Sequence, residues 1–427
     1  MSDIIDILAE TPADLAELRR RRPEAVANAE ASFKALFEST LLNDALPSAH
    51  RYAVAAFIAG VSGQARAAEF YTDLLVDEDE ALVDVVARAI ERGRSAGPYA
   101  GGDFITFEGA GGSGEAGAVG DARLAAAFDF AHLLTFHPED ASPAAIGHLQ
   151  EAGFDEDAIV SLAQLISFVA FQLRVAHGVR ALAGAAAGAG AGGTGADGAA
   201  GVQPGAAKPQ PGVSDPGWKP APQTLVPDVV APGKFVNHSL GWKPWVAPLA
   251  KEELTDAQRE ALIKPERADQ EYFRLLARDP EALKARTLTD LDIFYNTDGG
   301  LGRAERELAA TVVSRLNGCE YCASVHQARS KEEGGDAAVI DRLLDEGVAA
   351  DLGTEEWNAI RDAAVALTRT PNAFGPREVA GLRQAGLDDL AVIDVVNASS
   401  FFNWANRLML TLGEPDVPKR FRGRSPA

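Results

Sequence analysis

Apolar residues along the chain recur at helical spacing. In AERELAATVVSRLNG (304–318), Leu308, Ala309, Val312, Val313 and Leu316 fall at i, i+1, i+4, i+5 and i+8, one stripe of a helix, and Asn317-Gly318 supplies its stop. The segments SPAAIGHLQEAGF (142–154) and GPREVAGLRQAGL (375–387) each open on Pro at a first-turn position and close on Gly, the asymmetry of a short helix. No strand-like alternation competes with this pattern, so the expected fold is all-α.

The two Pro-to-Gly segments also expose an internal repeat. Setting Gly153 over Gly386 brings Leu134-Thr135 over Leu367-Thr368, Pro138 over Pro371, Pro143 over Pro376, Asp155 over Asp388, Ser167-Phe168 over Ser400-Phe401 and Arg174 over Arg407, a register of 233 residues. Upstream, a register of 255 sets Ala49 over Ala304, Arg51 over Arg306, Ala55 over Ala310, Gly63 over Gly318 and Ala68 over Ala323. The difference requires extra residues in the first half, and the Gly-rich stretch GPYAGGDFITFEGAGGSGEAGAVG lies in the interval that needs them. The chain therefore reads as a tandem duplication of one helical domain. At the second register Gln64 stands for Cys319, Ala67 for Cys322, Tyr71 for His326 and Tyr52 for Glu307, so the first copy keeps the scaffold and lacks the thiols.

Between the copies the composition changes. From Ala183 to about Gly201 the chain is almost only Ala and Gly, and it then turns Pro-rich to about Pro232. Such a segment buries too little apolar surface to offset its ordering entropy. The expected organisation is a degenerate domain over 1–180, a flexible linker over 181–234 and a second domain over 235–427.

Composition narrows the function classes. The chain has 427 residues, 47% hydrophobic and 24% charged, with 62 acidic against 40 basic residues. A formal charge of −22 argues against a nucleic-acid partner, which is bound by clustered Lys and Arg. The N-terminal segment MSDIIDILAETPADLAELRRRRPEA has no cationic region followed by an apolar one, so the expectation is a cytoplasmic chain without a leader. The longest apolar stretch, Ala158 to Leu173, is interrupted by Ser161, Gln164, Ser167 and Gln172, and is read as too short and too polar to span a bilayer.

Only two cysteines are present, Cys319 and Cys322, in a single CxxC. A disulfide framework is impossible with one pair, and structural zinc needs four ligands. If the segment after Gly318 is helical, Cys319, Cys322 and His326 stand at i, i+3 and i+7 on one stripe. The cysteines then lie at the helix N-terminus, where unpaired N–H groups and the dipole lower a thiol pKa. Glu307 sits twelve residues before Cys319, roughly 18 Å along one continuous helix. A reversal at Asn317-Gly318 instead brings Glu307 and His326 nearly level on two antiparallel arms. That geometry pairs Glu307 with His326 and His326 with Cys322, a relay able to take the thiol proton and return it to a leaving group. Trp404, Asn406 and Arg407 lie on a late apolar helix and read as core, with the counterpart Arg174 favouring a structural pairing for Arg407. His132, His137, His148 and His177 match no compact metal motif, and no metal site is expected.

Glu-x11-Cys-x2-Cys-x3-His in an all-helical domain resembles the alkyl hydroperoxidase D branch of the carboxymuconolactone decarboxylase superfamily. SLGWKPWVAPLAKEELTDAQREAL (239–262) is similar to the lead-in of its peroxidase-related members. The resemblance implies Cys322 as the peroxidatic thiol, Cys319 as the resolving one, and His326 with Glu307 as the proton relay. Tyr321 occupies the position between the cysteines that is often His in the family, which makes it a candidate pocket residue. The implied activity is thiol-dependent reduction of a hydroperoxide, with no bound cofactor and with an external dithiol of lipoyl or thioredoxin type as reductant. The implied assembly is a homo-oligomer, a trimer or alternatively a dimer, with neither nucleic acid nor membrane as partner. Two other readings compete: a carboxymuconolactone decarboxylase-type lyase with His326 and Glu307 as acid and base, and a redox-responsive scaffold.

Overall fold

The computed structural model describes residues 3–40, 44–94, 107, 119–190, 226 and 228–422. Within them the helical periodicity closes into eighteen α-helices, joined by short 3-10 and π turns. Ten helices frame the site and are numbered in chain order. In the first half these are α1 (Pro23–Phe33), α2 (Ser48–Val61), α3 (Ala65–Asp79), α4 (Ala122–Phe136) and α5 (Glu156–Gly190). In the second they are α6 (Pro280–Tyr295), α7 (Arg303–Leu316), α8 (Glu320–Glu332), α9 (Glu355–Thr368) and α10 (Asp389–Thr411). Among the described residues the only strands are β1 (Gly241–Pro244) and β2 (Gly413–Asp416), an antiparallel ribbon with Gly241 opposite Asp416.

Helices α5 and α10 pack against each other at the centre. Both begin on an Asp cap: Asp155 Oδ1 accepts from Ala158 N and Asp388 Oδ1 from Ala391 N, each at 2.8 Å. Trp404 of α10 packs against the rings of Phe168 and Phe171 of α5, with centroids 5.2 and 5.4 Å away. Its indole N–H donates to Gln164 Oε1 at 3.0 Å, so the ring is buried without an orphaned donor. One apolar core runs continuously through both halves.

Matched positions make matched contacts. Arg51 Nε donates to Leu46 O (2.7 Å), and its Nη1 to Ser39 O (2.8 Å). Arg306, at the 255 register, donates from Nε to Leu301 O (2.9 Å) and from Nη1 to Asn296 O (2.7 Å). Arg174 and Arg407, at the 233 register, each give Nη1 to the carbonyl four residues back, Ala170 O and Asn403 O. Each then reaches across to the other half: Arg174 Nη2 to Thr368 O at 2.9 Å, Arg407 Nη2 to Thr135 O at 3.4 Å. A third register sets the Pro-Glu-Ala that opens α1 over the Pro-Glu-Ala that opens α6, 257 residues on. These two helices pack on each other.

Two expectations need correction. Helix α5 continues to Gly190, so the first ten residues of the segment 181–234 assigned to a linker are helical. Alanine is the best helix former, and the stretch begins with more Ala than Gly. The far end of that segment is also held, since Val230 O accepts from Val417 N at 2.8 Å, while 191–225 and 227 lie outside the described residues. Of the Gly-rich stretch 97–120, only Phe107, Val119 and Gly120 are described. Finally, Glu156–Ala185 is long and apolar enough, by length and composition, to cross a membrane, contrary to the shorter run read from the sequence. Its apolar window is entirely buried in the protein, which accounts for its hydropathy as core.

The halves are also tied by charge. Asp394 of α10 accepts from Arg22 through both carboxylate oxygens (2.8 Å each), and from Arg306 Nη2 and Leu301 N through Oδ2 (2.9 Å each). Both arginines are fully buried. Removing the carboxylate strands two buried cations, so Asp394→Ala is expected to lower unfolding free energy by about 3–5 kcal/mol. Chemical denaturation measures this, and a loss below about 1 kcal/mol would contradict the structural weight given to the cluster.

Candidate active site

The CxxC sits at a chain reversal. Gly318, with φ +74°, turns the chain between α7 and α8, a backbone conformation that glycine adopts without strain. Cys319 is the N-cap residue of α8 and Cys322 lies in its first turn. Both thiols are free and buried, at 2% and 5% exposure.

The reversal brings Glu307 of α7 level with His326 of α8, and Glu307 Oε2 is hydrogen-bonded to His326 Nδ1. The other oxygen, Oε1, accepts from Arg303 Nε (3.2 Å) and Nη2 (3.1 Å), one turn earlier on α7. Burial works to raise the Glu307 pKa. The charge and hydrogen bond of His326, with Arg329 and Arg303, outweigh it and hold the carboxyl below its ordinary range. A fixed carboxylate on Nδ1 sets the tautomer and leaves Nε2 as the ring atom available for proton transfer. Nothing among the described residues hydrogen-bonds Nε2, and His326 makes no hydrogen bond to Cys322. The imidazole is packed edge-to-face on Phe402 (4.2 Å between centroids) and against Phe294 (5.9 Å).

The expected lowering of the cysteine pKa fails at Cys319. Burial, reinforced by the neighbouring Cys322 thiol and by Glu320, pushes Cys319 well above its ordinary value. A helix N-terminus stabilises an anion by about 0.3–1 kcal/mol at an exposed position, less than the cost of drying a thiolate. Tyr321 lies between the cysteines in sequence, and burial, with the two cysteines, lifts its phenol to about 12.

Sequence reasoning missed four residues. Arg303 could have been found, being four residues before Glu307 on the same helix face. Glu320, inside the CxxC itself, is buried with Oε1 lacking a partner, and burial lifts its pKa to about 9. Tyr272 and Arg286 come from segments upstream with no local signal. The Tyr272 hydroxyl is buried without a partner and within electrostatic reach of Arg286, Cys322 and Tyr321. Trp404 and Arg407 are core, as their helical spacing suggests.

In the first half the matched positions form no such centre. Tyr71 donates to Gln172 Oε1 and stacks on Phe37, which also stacks on Tyr52 and Phe33. Gln64 bonds His177 Nδ1 at 3.2 Å, and His148 meets Asp129 at 2.9 Å. Among the described residues no group of three or more His, Cys, Asp or Glu side chains is arranged to hold a metal.

Residues 280–366, from the start of α6 into α9, match the carboxymuconolactone decarboxylase family. No curated protein matches the chain significantly. A solved structure, an uncharacterized peroxidase-related protein from Silicibacter sp. TM1040, is 26% identical, covering 40% of this chain and 90% of that one, with a TM-score of 0.33.

Glu320 has a measurable signature. Its folded pKa, about 9, stands above the ordinary carboxyl value of 4.5, so between those values the folded protein keeps a proton that the unfolded chain releases. Stability must therefore fall as pH rises through that window. Glu320→Gln removes this dependence, and its advantage over the parent is expected to grow by up to about 1.4 kcal/mol per pH unit above neutrality. Unfolding midpoints of the reduced proteins from pH 6 to 9 read it, and a constant difference would show that Glu320 ionises normally.

Proposed function

We propose that the chain, whose residues 280–366 match the carboxymuconolactone decarboxylase family, is a thiol-dependent hydroperoxide reductase whose Cys319 and Cys322 cycle between dithiol and disulfide. The observation that carries the reading is the buried CxxC set one helical turn from a histidine that a carboxylate holds by Nδ1.

The steps follow from that arrangement. His326, through Nε2, takes the proton of the Cys322 thiol. The thiolate attacks the terminal peroxide oxygen, the O–O bond breaks, and the leaving alkoxide receives the proton back as an alcohol. Cys322 is then a sulfenic acid. The Cys319 thiol condenses with it, forming the S–S bond and releasing water. An external dithiol, of lipoyl or thioredoxin type, returns the pair to thiols by exchange and is itself oxidised. The high pKa of Cys319 suits the resolving role, because a thiol that stays protonated leaves the first attack to its neighbour. Tyr321 and Glu320, on the first turn of the same helix, add to the low-polarity surroundings of the pair.

On the same reading the first half is a degenerate copy of the second. It supports the catalytic half through the α5–α10 contact, and the chains associate as a trimer or a dimer. A lyase that uses only Glu307 and His326 is the competing reading, since their hydrogen bond serves proton transfer without any thiol. Such an enzyme would be insensitive to thiol alkylation.

Cys322→Ser is expected to abolish hydroperoxide consumption in the presence of a dithiol. Cys319→Ser is expected to accumulate a sulfenic acid at Cys322, trapped by dimedone and located by mass spectrometry. Full turnover by Cys322→Ser would overturn the proposal.

A further inference from the structure

Helix α6 carries a buried cation that the chemistry above does not use. Arg286 is only 6% exposed, and its Nε is wholly buried without a hydrogen-bond partner. Among the described residues no acceptor bonds any of its nitrogens and no carboxylate lies within ion-pair distance. The other buried arginines differ: Arg19 has Asp3, Arg22 and Arg306 share Asp394, and Arg51 holds main-chain carbonyls. Arg286 is surrounded instead by ring faces, with Phe401 at 5.0 Å, Tyr272 at 5.9 Å and Trp404 at 6.0 Å from the guanidinium. Aromatic faces attract a cation but accept none of its five N–H donors in the plane of the fork. A largely buried guanidinium with aromatic walls and unused donors is built to receive a planar anion.

Its position ties it to the thiols. Phe401 packs on Phe402 with centroids 6.0 Å apart, and Phe402 meets the His326 ring at 4.2 Å. Tyr272 stands within electrostatic reach of both Arg286 and Cys322. The first half gives an independent comparison. At the register set by the two Pro-Glu-Ala openings, Ala29 of α1 stands for Arg286. The structural arginines at matched positions, Arg51 with Arg306 and Arg174 with Arg407, are present in both halves. Arg286 is absent from the half that lacks the cysteines, His326 and Glu307.

We propose that Arg286 is the substrate anchor: the hydroperoxide carries a carboxylate, gripped by the guanidinium fork, while its apolar body lies against Phe401 and Trp404 and its peroxide group reaches Cys322. This rests on the reductase reading for the reaction but not for the anion site. The buried Tyr272 phenol, its pKa raised by burial, stays a neutral donor that can bond the same carboxylate.

The test compares cumene hydroperoxide with its 4-carboxy derivative, measuring kcat and KM separately for the parent, Arg286→Met and Arg286→Lys. The parent is expected to favour the carboxylated substrate through KM. Arg286→Met is expected to reduce that discrimination on the order of 10- to 100-fold, and Arg286→Lys, which keeps the charge without the fork, to retain part of it. Equal losses on both substrates would overturn the anchoring role. Calorimetric binding of 4-isopropylbenzoate against 4-isopropylbenzamide gives a readout without turnover. Carboxylate binding that disappears in Arg286→Met supports the site even if no hydroperoxide is consumed, an outcome that would sink the reductase reading alone. Carboxylate binding unchanged in Arg286→Met would overturn the proposal.

Discussion

A single buried carboxylate, Asp394, sets the frame for the rest. It accepts four hydrogen bonds, two from Arg22 in the first half and one each from Arg306 and Leu301 in the second. Arg306 is the residue before Glu307, and Leu301 lies just ahead of the helix that carries both. The junction that joins the halves therefore also fixes the start of α7, and with it the height at which Glu307 meets His326. Buried ion clusters are costly to desolvate and add little net stability compared with apolar packing of the same shape. Their geometry is nevertheless strict, which suits a place where the register of Glu307 against His326 must be held.

Around the thiols, burial and charge pull in opposite directions, and different residues settle differently. Glu307 has a histidine and two arginines to hold its charge and remains a carboxylate despite burial. Glu320 has no partner to offset the same burial and remains an acid. Two glutamates about one hairpin apart are thus sorted by their neighbours into a fixed anion and a neutral carboxyl. Cys319 follows Glu320 in keeping its proton. Helix position alone, which favours an anion at this N-terminus, does not decide the outcome once water is excluded.

Local pattern revealed the parts of the site that lie close in sequence. The stop at Asn317-Gly318, the helix after it and the level pairing of Glu307 with His326 follow from 3.6-residue periodicity and one reversal. The 233 and 255 registers followed from Gly and Pro positions that demand particular backbone shapes. Arg22 and Asp394 are 372 residues apart, and no periodicity within either segment connects them. Arg286 and Tyr272 were equally silent, because an arginine on a helix is ordinarily solvated and only the fold shows this one largely buried. The linker was misplaced for a related reason: its composition marks weak burial, yet alanine continues a helix that the core has already nucleated.

The two Pro-Glu-Ala openings lead to one last consequence. The residue just before them is Arg22 in one half and Asp279 in the other, and each faces a matched position on the opposite central helix. Arg22 meets Asp394, whereas Asp279 accepts from Ser161 at 2.7 Å. Two identical subunits related by a two-fold axis must carry the same residue in both copies of each position, so any pairing across the axis occurs twice or not at all. A single chain is released from that rule. It can place a cation on one side and an anion on the other, and carry Cys319, Cys322, His326 and Glu307 in one half with Gln64, Ala67, Tyr71 and Tyr52 at the matched positions of the other.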